Sequence, residues 1–343
     1  MRRRDFLRVI GGVAAAWPVM AHAQQRVPTV GILWHAGSAE EEAIYLTQIQ
    51  QGLQALGYVE GRNITLVNTF ADEQYERFNS NAIELVRREV DVLIGVTLPA
   101  ALAAQRATKT IPIVFILVGD PIGTKLVASL ARPGGNITGL SQLTFDLQAK
   151  RLELFKETVP HLSKIALLVN PSDPMTTQRS VEHVRATAER LGITIQPIEA
   201  HQADQIAGAF SSIQNGVTGV MVESDGMFFR ERKQLAELAV KHKIPTMVFN
   251  PDMVEDGGLM TYAASSLAIF RRSAAYVDKI LKGTKPEELP VEQPTKFEFI
   301  INLKTARAIG LAISPAMLHL VGDWFLQNEW MAVNKVRFTH PAP

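Results

Sequence analysis

VPTVGILW (residues 27–34) and SKIALLVN (residues 163–170) are short apolar runs, each bounded by a polar loop, in opposite halves of the chain. Their length suits a buried strand. A segment of helical period follows each. From Ala39 to Leu56 the apolar residues Leu46, Ile49, Leu53 and Leu56 share one face, and from Met175 to Leu191 so do Val181, Val184, Ala188 and Leu191. Both segments end at Leu-Gly, at Leu56-Gly57 and Leu191-Gly192. Glycine there suits the left-handed residue that closes a helix. Strands are then expected from Ile64 to Phe70 and from Ile193 to Ile198, and, after a helix each, from Asp91 to Thr97 and from Gly219 to Ser224. A further helix leads in each half to an Ile-Pro strand, Ile111 to Phe115 and Ile244 to Phe249.

The same elements in the same order, with the same punctuation, predict an α/β protein with parallel sheets covered on both faces. Two copies predict two Rossmann-like lobes joined by a hinge; the alternative is one large doubly wound domain. Arg132-Pro133-Gly134-Gly135-Asn136 is a turn-rich break, which sets the expected boundary between Leu130 and Leu147. The first lobe is expected over 27–140 and the second over 141–262. After Asp256-Gly257-Gly258 come an expected strand from Leu259 to Tyr262, a helix from Ser266 to Leu281, a proline-punctuated stretch from Pro286 to Pro294 and a strand from Phe297 to Ile301. Residues 263–290 are expected to return to the first lobe and 291–320 to the second, with 321–343 left as an atypical tail. Segments that cross between lobes suit hinge closure around a ligand.

The chain opens MRRRDFLRVIGGVAAAWPVMAHA, with Arg2, Arg3, Arg4 and Arg8 before an apolar stretch and Ala21-His22-Ala23 at its end. This is the pattern of an export signal over 1–23. Arg3-Arg4-Asp5-Phe6-Leu7 also fits the twin-arginine route, with the general secretory route as the alternative. Without these residues the chain carries 31 basic and 33 acidic side chains. A near-neutral chain has no electrostatic reason to bind nucleic acid or anionic lipid. No later segment reads as membrane-spanning, so a soluble, monomeric, periplasmic protein is expected. The 343 residues include no cysteine, which excludes thiol catalysis, thiolate metal sites and iron–sulfur clusters. The histidines are scattered, with no His-Glu-x-x-His, and there is neither a dinucleotide fingerprint after the first strand nor a Walker-type phosphate loop. No metal and no cofactor are expected.

In open parallel sheets ligands lie beyond the carboxyl ends of the strands. That rule selects Trp34 to Ser38, Thr97-Leu98-Pro99 and Gly119-Asp120-Pro121 in the first half and Asn170-Pro171-Ser172, Ser224-Asp225 and Asn250-Pro251 in the second, with Trp34, Ser38, Thr97, Asp120, Asn170, Ser172, Ser224, Asp225 and Asn250 as the candidates. Such groups hold carboxylates and amines through hydrogen bonds. Alternatives stand beside several of them. Ser38 with Glu41 reads as a capping box, Asp120 and Asp225 as turn or helix-start residues, and Trp34 as core rather than a stacking wall. Tyr262 is a hinge or pocket candidate.

Several stretches resemble one family. They are Leu56-Gly57-Tyr58-Val59-Glu60-Gly61-Arg62-Asn63-Ile64, Ala107 to Phe115, Gly119-Asp120-Pro121, Ser129 to Gly139, Leu289 to Glu298, and Ile301-Asn302-Leu303-Lys304-Thr305-Ala306. They are similar to the substrate-binding proteins of ABC transporters in the tryptophan/tyrosine-type group, which have the type I periplasmic-binding fold. The likeness fades in the tail, and Tyr262-Ala263 stands where the family often has Tyr-Gly. The resemblance implies capture of a small amino-acid-like solute, aromatic ones included, between the lobes and delivery to an ABC permease at the inner membrane, with no enzymatic step. A ligand sensor feeding a signalling partner, or a hydrolase on a similar scaffold, are the alternatives.

Overall fold

The structure is a computed structural model that describes residues 26–318, apart from 143, 173 and 316, and the strand at 335–341. The export signal read over 1–23 and residues 321–334 of the tail lie outside the described residues.

Two sheets form the frame. The first holds β1 (Thr29–Trp34), β2 (Thr65–Phe70), β3 (Val92–Val96), β4 (Ile113–Val118) and β5 (Ile137–Ser141) in the order β2-β1-β3-β4-β5, all parallel. Its helices are α1 (Ala43–Ala55), α2 (Tyr75–Arg87) and α3 (Leu98–Ala107). The second holds β6 (Lys164–Val169), β7 (Thr194–Glu199), β8 (Gly219–Val222), β9 (Thr246–Val248), β10 (Met260–Ala264), β11 (Lys296–Asn302) and β12 (Lys335–Pro341). Its order is β12-β11-β10-β9-β8-β6-β7, parallel except where β11 runs antiparallel to β10 and β12 to β11. The remaining helices are α4 (Thr144–Thr158), α5 (Pro174–Leu191), α6 (Ile206–Ser211), α7 (Gly226–Arg230), α8 (Arg232–Lys241), α9 (Pro251–Glu255), α10 (Ser266–Leu281) and α11 (Leu303–Ala308).

The punctuation read from the sequence has physical jobs in both halves. Gly57 and Gly192 take φ of +91° and +64°. The amides that follow them, of Tyr58 and Ile193, reach back to the carbonyls of Leu53 and Ala188 at 3.0 and 2.8 Å, which closes α1 and α5. Pro112 and Pro245 stand just before β4 and β9, where a missing N–H costs no ladder bond. Their carbonyls accept from the amides of Leu93 and Val220 at 2.9 and 2.8 Å.

β5 corrects the sequence reading. The turn-rich break at 132–136 masks a strand directly after it, so the stretch assigned to a boundary supplies the fifth strand of the first sheet. Gly139 permits this, because a Cβ there would lie 2.1 Å from the Phe115 carbonyl oxygen.

α10 leaves β10 and packs on α1. Gly52 of α1 lets the two backbones approach, since a Cβ there would lie 2.5 Å from the Arg271 carbonyl oxygen. Phe270 of α10 stacks on Trp34 and Tyr45, with ring centroids 5.7 and 4.6 Å away. The chain then runs along β5. Thr138 Oγ1 donates to the Leu289 carbonyl at 2.6 Å, and Glu292 exchanges backbone bonds with Gly139 and Ser141 at 3.0 and 2.9 Å. Val291 and Glu292 therefore lie beside the first sheet, whereas 291–320 was expected wholly in the second lobe. Likewise Ala263 and Ala264 belong to β10 of the second sheet, although 263 was expected to begin the return. The chain crosses between sheets after β5, after β10 and before β11.

Candidate functional site

The carboxyl ends of both sheets open on one cleft of about 640 Å³. Strand exits supply its walls. His35 and Thr97 follow β1 and β3 on one side; Asn170, Ser224 and Phe249 follow β6, β8 and β9 on the other. Aromatic rings of Tyr75, Phe229, Phe249 and Phe270 line it beside the polar groups.

Seven of the ten sequence candidates line this cleft: Thr97, Asp120, Asn170, Ser172, Ser224, Asp225 and Asn250. Thr97 starts α3 with φ 75° and ψ 168°, a region that is essentially glycine's, and its hydroxyl caps no helical amide. Its own amide is fixed on the Ile116 carbonyl at 2.9 Å. Asn170 bridges the second wall, donating from Nδ2 to Asp225 Oδ2 at 3.0 Å while Oδ1 accepts from the Ser172 amide at 3.1 Å. Asp225 also caps α7 through Phe228 N at 3.1 Å, and Asn250 caps α9 through Asp252 N at 2.8 Å. Burial pushes the Asp225 carboxyl above its ordinary pKa, and the charge of Glu73 adds to that.

Three candidates lie elsewhere. Trp34 is fully buried and packs with Val30 and Ile32, as alternation along β1 requires. Its Nε1 donates to Asn68 Oδ1 at 2.8 Å. Ser38 serves a local turn: its hydroxyl accepts from Glu41 N at 3.5 Å, while Glu41 Oε2 accepts from Gly37 N at 3.2 Å. Tyr262 is buried and stacks on Phe297 with centroids 5.7 Å apart, and the next residues of β10, Ala263 and Ala264, reach the cleft instead.

The cleft's strongest electrostatics centre on His35 at the exit of β1, with partners that the strand-exit rule does not name. His35 lies between two carboxylates, with Nδ1 at 2.6 Å from Glu73 Oε1 and Nε2 at 3.3 Å from Glu42 Oε1. Burial alone would lower its pKa, but the hydrogen bond and charge of Glu73, with the charge of Glu42, raise it to about 9. Glu42 itself is pushed up by burial. Arg151 of α4 is buried in the opposite wall. Of the run Glu40-Glu41-Glu42, only Glu42 turns inward; Glu40 and Glu41 are exposed.

Side-chain contacts bridge the cleft. Asp120 pairs with Arg179 of α5, Asp72 Oδ1 with Arg230 Nη1 at 3.3 Å, and the Tyr45 hydroxyl donates to Asp252 Oδ2 at 2.6 Å. Glu73 rests against Gly226, where a Cβ would lie 2.1 Å from its Oε1. The lobes are therefore closed on each other. Among the described residues no group of three or more His, Cys, Asp or Glu side chains is placed to hold a metal ion, and no helix is long and apolar enough to cross a membrane.

Comparison with known proteins agrees with this architecture. A tyrosine-binding protein of Clostridioides difficile is 27% identical over 262 residues, which cover 76% of this chain and 75% of that one. The crystal structure of a conserved domain protein from Vibrio cholerae superimposes with a TM-score of 0.80 at 28% identity, over 86% of this chain and 98% of that chain. The ABC domain in complex with L-Trp from Streptococcus pneumonia does so with a TM-score of 0.77 at 27% identity, over the same shares of 86% and 98%. Across residues 39–323 the sequence matches the family model described as ABC transporter substrate binding protein, and the chain belongs to that family.

Proposed function

We propose that this chain is the extracytoplasmic receptor of an ABC transporter, closing its lobes on an amino-acid-type solute and handing it to the permease. The observation that carries this reading is the cleft lined by strand exits of both sheets and bridged by Asp120–Arg179, Asp72–Arg230 and Tyr45–Asp252. A ligand that touches both walls shifts the population toward the closed form, and that shift is the signal a permease reads. The wall chemistry suits an amino acid. Carboxylates such as Glu73 and Asp225 complement an ammonium group, Arg151 and the Thr97 hydroxyl complement a carboxylate, and Tyr75, Phe229, Phe249 and Phe270 complement an aromatic side chain. The tyrosine-binding relative and the L-Trp complex make tyrosine and tryptophan the first solutes to try. No covalent step is needed, and the protein acts as a monomer in the periplasm after loss of residues 1–23.

The test is a thermal-shift screen of the exported protein against the common amino acids. A solute at 100 times its Kd stabilises by about 2.7 kcal/mol. A silent screen, with turnover of any cleft-bound compound, would overturn the reading. Changing Arg3 and Arg4 to Lys separates the export routes: accumulation inside the cell marks the twin-arginine route, and unchanged export marks the general one.

A further inference from the structure

Arg151 is only 4% exposed and yet lines the cleft. Its Nε donates to the Tyr262 carbonyl at 2.8 Å and its Nη2 to the Phe249 carbonyl at 3.2 Å. These neutral acceptors orient the guanidinium without neutralising it. Among the described residues no carboxylate pairs with it, and its other N–H donors have no acceptor. Burial lowers its pKa to about 10, which leaves it charged at neutral pH. A buried charge of this kind is unfavourable until a counter-charge arrives.

The carboxylates nearby have other partners. Asp120 holds Arg179, Asp72 holds Arg77 and Arg230, Glu73 and Glu42 hold His35, and Asp225 holds Asn170 and the Phe228 amide. The cleft thus has a cation held in place by the frame and open toward the space a ligand would fill. Glu223, the remaining carboxylate that lines the cleft, is buried and forms no salt bridge with Arg151, so the ligand is left as the source of a paired counter-charge. A guanidinium fork matches a carboxylate in shape and in its single charge. A phosphate would bring a second charge among Glu42, Glu73 and Asp225.

We propose that Arg151 is the carboxylate seat of the cleft and the residue that makes it select a free acid over the corresponding amide. This rests on the amino-acid reading above and assigns one end of that ligand. Because the Tyr262 and Phe249 carbonyls belong to β10 and to the exit of β9, the seat keeps its place in the second lobe as the lobes open and close.

The experiment compares matched pairs by calorimetry on the exported protein: L-tyrosine with L-tyrosinamide, L-tryptophan with L-tryptophanamide, and L-leucine with L-leucinamide. The wild type should bind the acid more than about tenfold tighter than its amide. Arg151→Gln should weaken the acid far more than the amide and bring the ratio near one, and Arg151→Lys should recover part of the preference. A purely structural brace would weaken both members of each pair alike, so the ratio is the deciding readout. The wild-type comparison stands even if Arg151→Gln fails to fold. An amide bound as tightly as its acid, or a ratio that survives Arg151→Gln, would overturn the assignment. No binding of any acid or amide would instead defeat the amino-acid reading, and this assignment with it.

Discussion

The two lobes repeat one backbone and carry different chemistry at equivalent positions. Pro28 and Ser163 accept from Thr65 and Thr194 at 2.9 and 2.8 Å, which aligns β1 with β6. On that register His35 corresponds to Asn170, and the pairings of β3 and β8 make Thr97 correspond to Ser224. His35 is a cation held by Glu42 and Glu73, whereas Asn170 is neutral and serves Asp225. Thr97 has a positive φ, and Ser224 has none. Along the cleft rim the first lobe presents Asp72 and Asp120, and the second presents Arg230 and Arg179. The repeat therefore builds a nearly symmetric frame, while recognition and closure depend on where the copies diverged.

The strongest way to break this comparison lies in the core. Trp34 and Val169 occupy equivalent final positions of β1 and β6, and both are buried. Trp34→Ala should cost about 3–5 kcal/mol, because it also removes the packing of the returning α10, and Val169→Ala about 2 kcal/mol. Urea unfolding checks both, and equal losses would deny the asymmetry.

The next largest effect is pH-dependent. His35 has a folded pKa of about 9, above its ordinary value of 6.5. A raised pKa means the folded state holds the proton more tightly. The resulting stabilisation, about 3 kcal/mol, is complete below pH 6.5 and is lost as pH rises through 9. His35→Gln should remove that dependence, whereas Asn170→Ala should leave it intact; stability measured from pH 6 to 10 decides.

Closure itself can be strained at Gly226. A methyl there meets Glu73, which His35 holds in place. Gly226→Ala should weaken ligand binding about tenfold, or about 1.4 kcal/mol. Its thermal midpoint without ligand should barely move, because open lobes relieve the clash.

A sharper comparison replaces the two equivalent strand exits by glycine. Thr97→Gly should relieve backbone strain and stabilise by about 1 kcal/mol, with weaker binding of ligand. Ser224→Gly should destabilise by about 0.5 kcal/mol, since it only frees the unfolded chain. The smallest effect belongs to the half-exposed rim. Asp72→Asn should cost about 0.5 kcal/mol of closure and lose that effect in high salt. Binding isotherms at two ionic strengths test this.

The frame was legible because local rules set it. Steps of three and four residues, a glycine after α1 and α5 and a proline before each fourth strand depend only on backbone sterics and burial of one face, and these act within a few residues. β5 escaped because it follows a turn-rich stretch, and the antiparallel pairing of β11 with β12 has no local signature. The strand-exit rule brought Thr97, Asp120, Asn170, Ser172, Ser224, Asp225 and Asn250 to the cleft, since strand ends are fixed by the sheet. It failed for Trp34, which alternation turns into the core, and for Ser38, which serves a local turn; Tyr262, read separately as a hinge or pocket residue, stacks on Phe297. It could not find Arg151, Glu42 or Glu73. They stand on a helix or beside one, and which way such residues face depends on how whole elements pack.

The sequence by itself determined two parallel α/β units and the strand ends from which a site is built, because periodicity and turn chemistry are short-range. The tertiary structure alone decided which charges meet across the cleft. Arg151 with its carbonyls, His35 between its carboxylates and the Asp120–Arg179 clasp join residues distant in sequence. Coulomb energy and burial follow distance in space, which the order of the chain does not reveal.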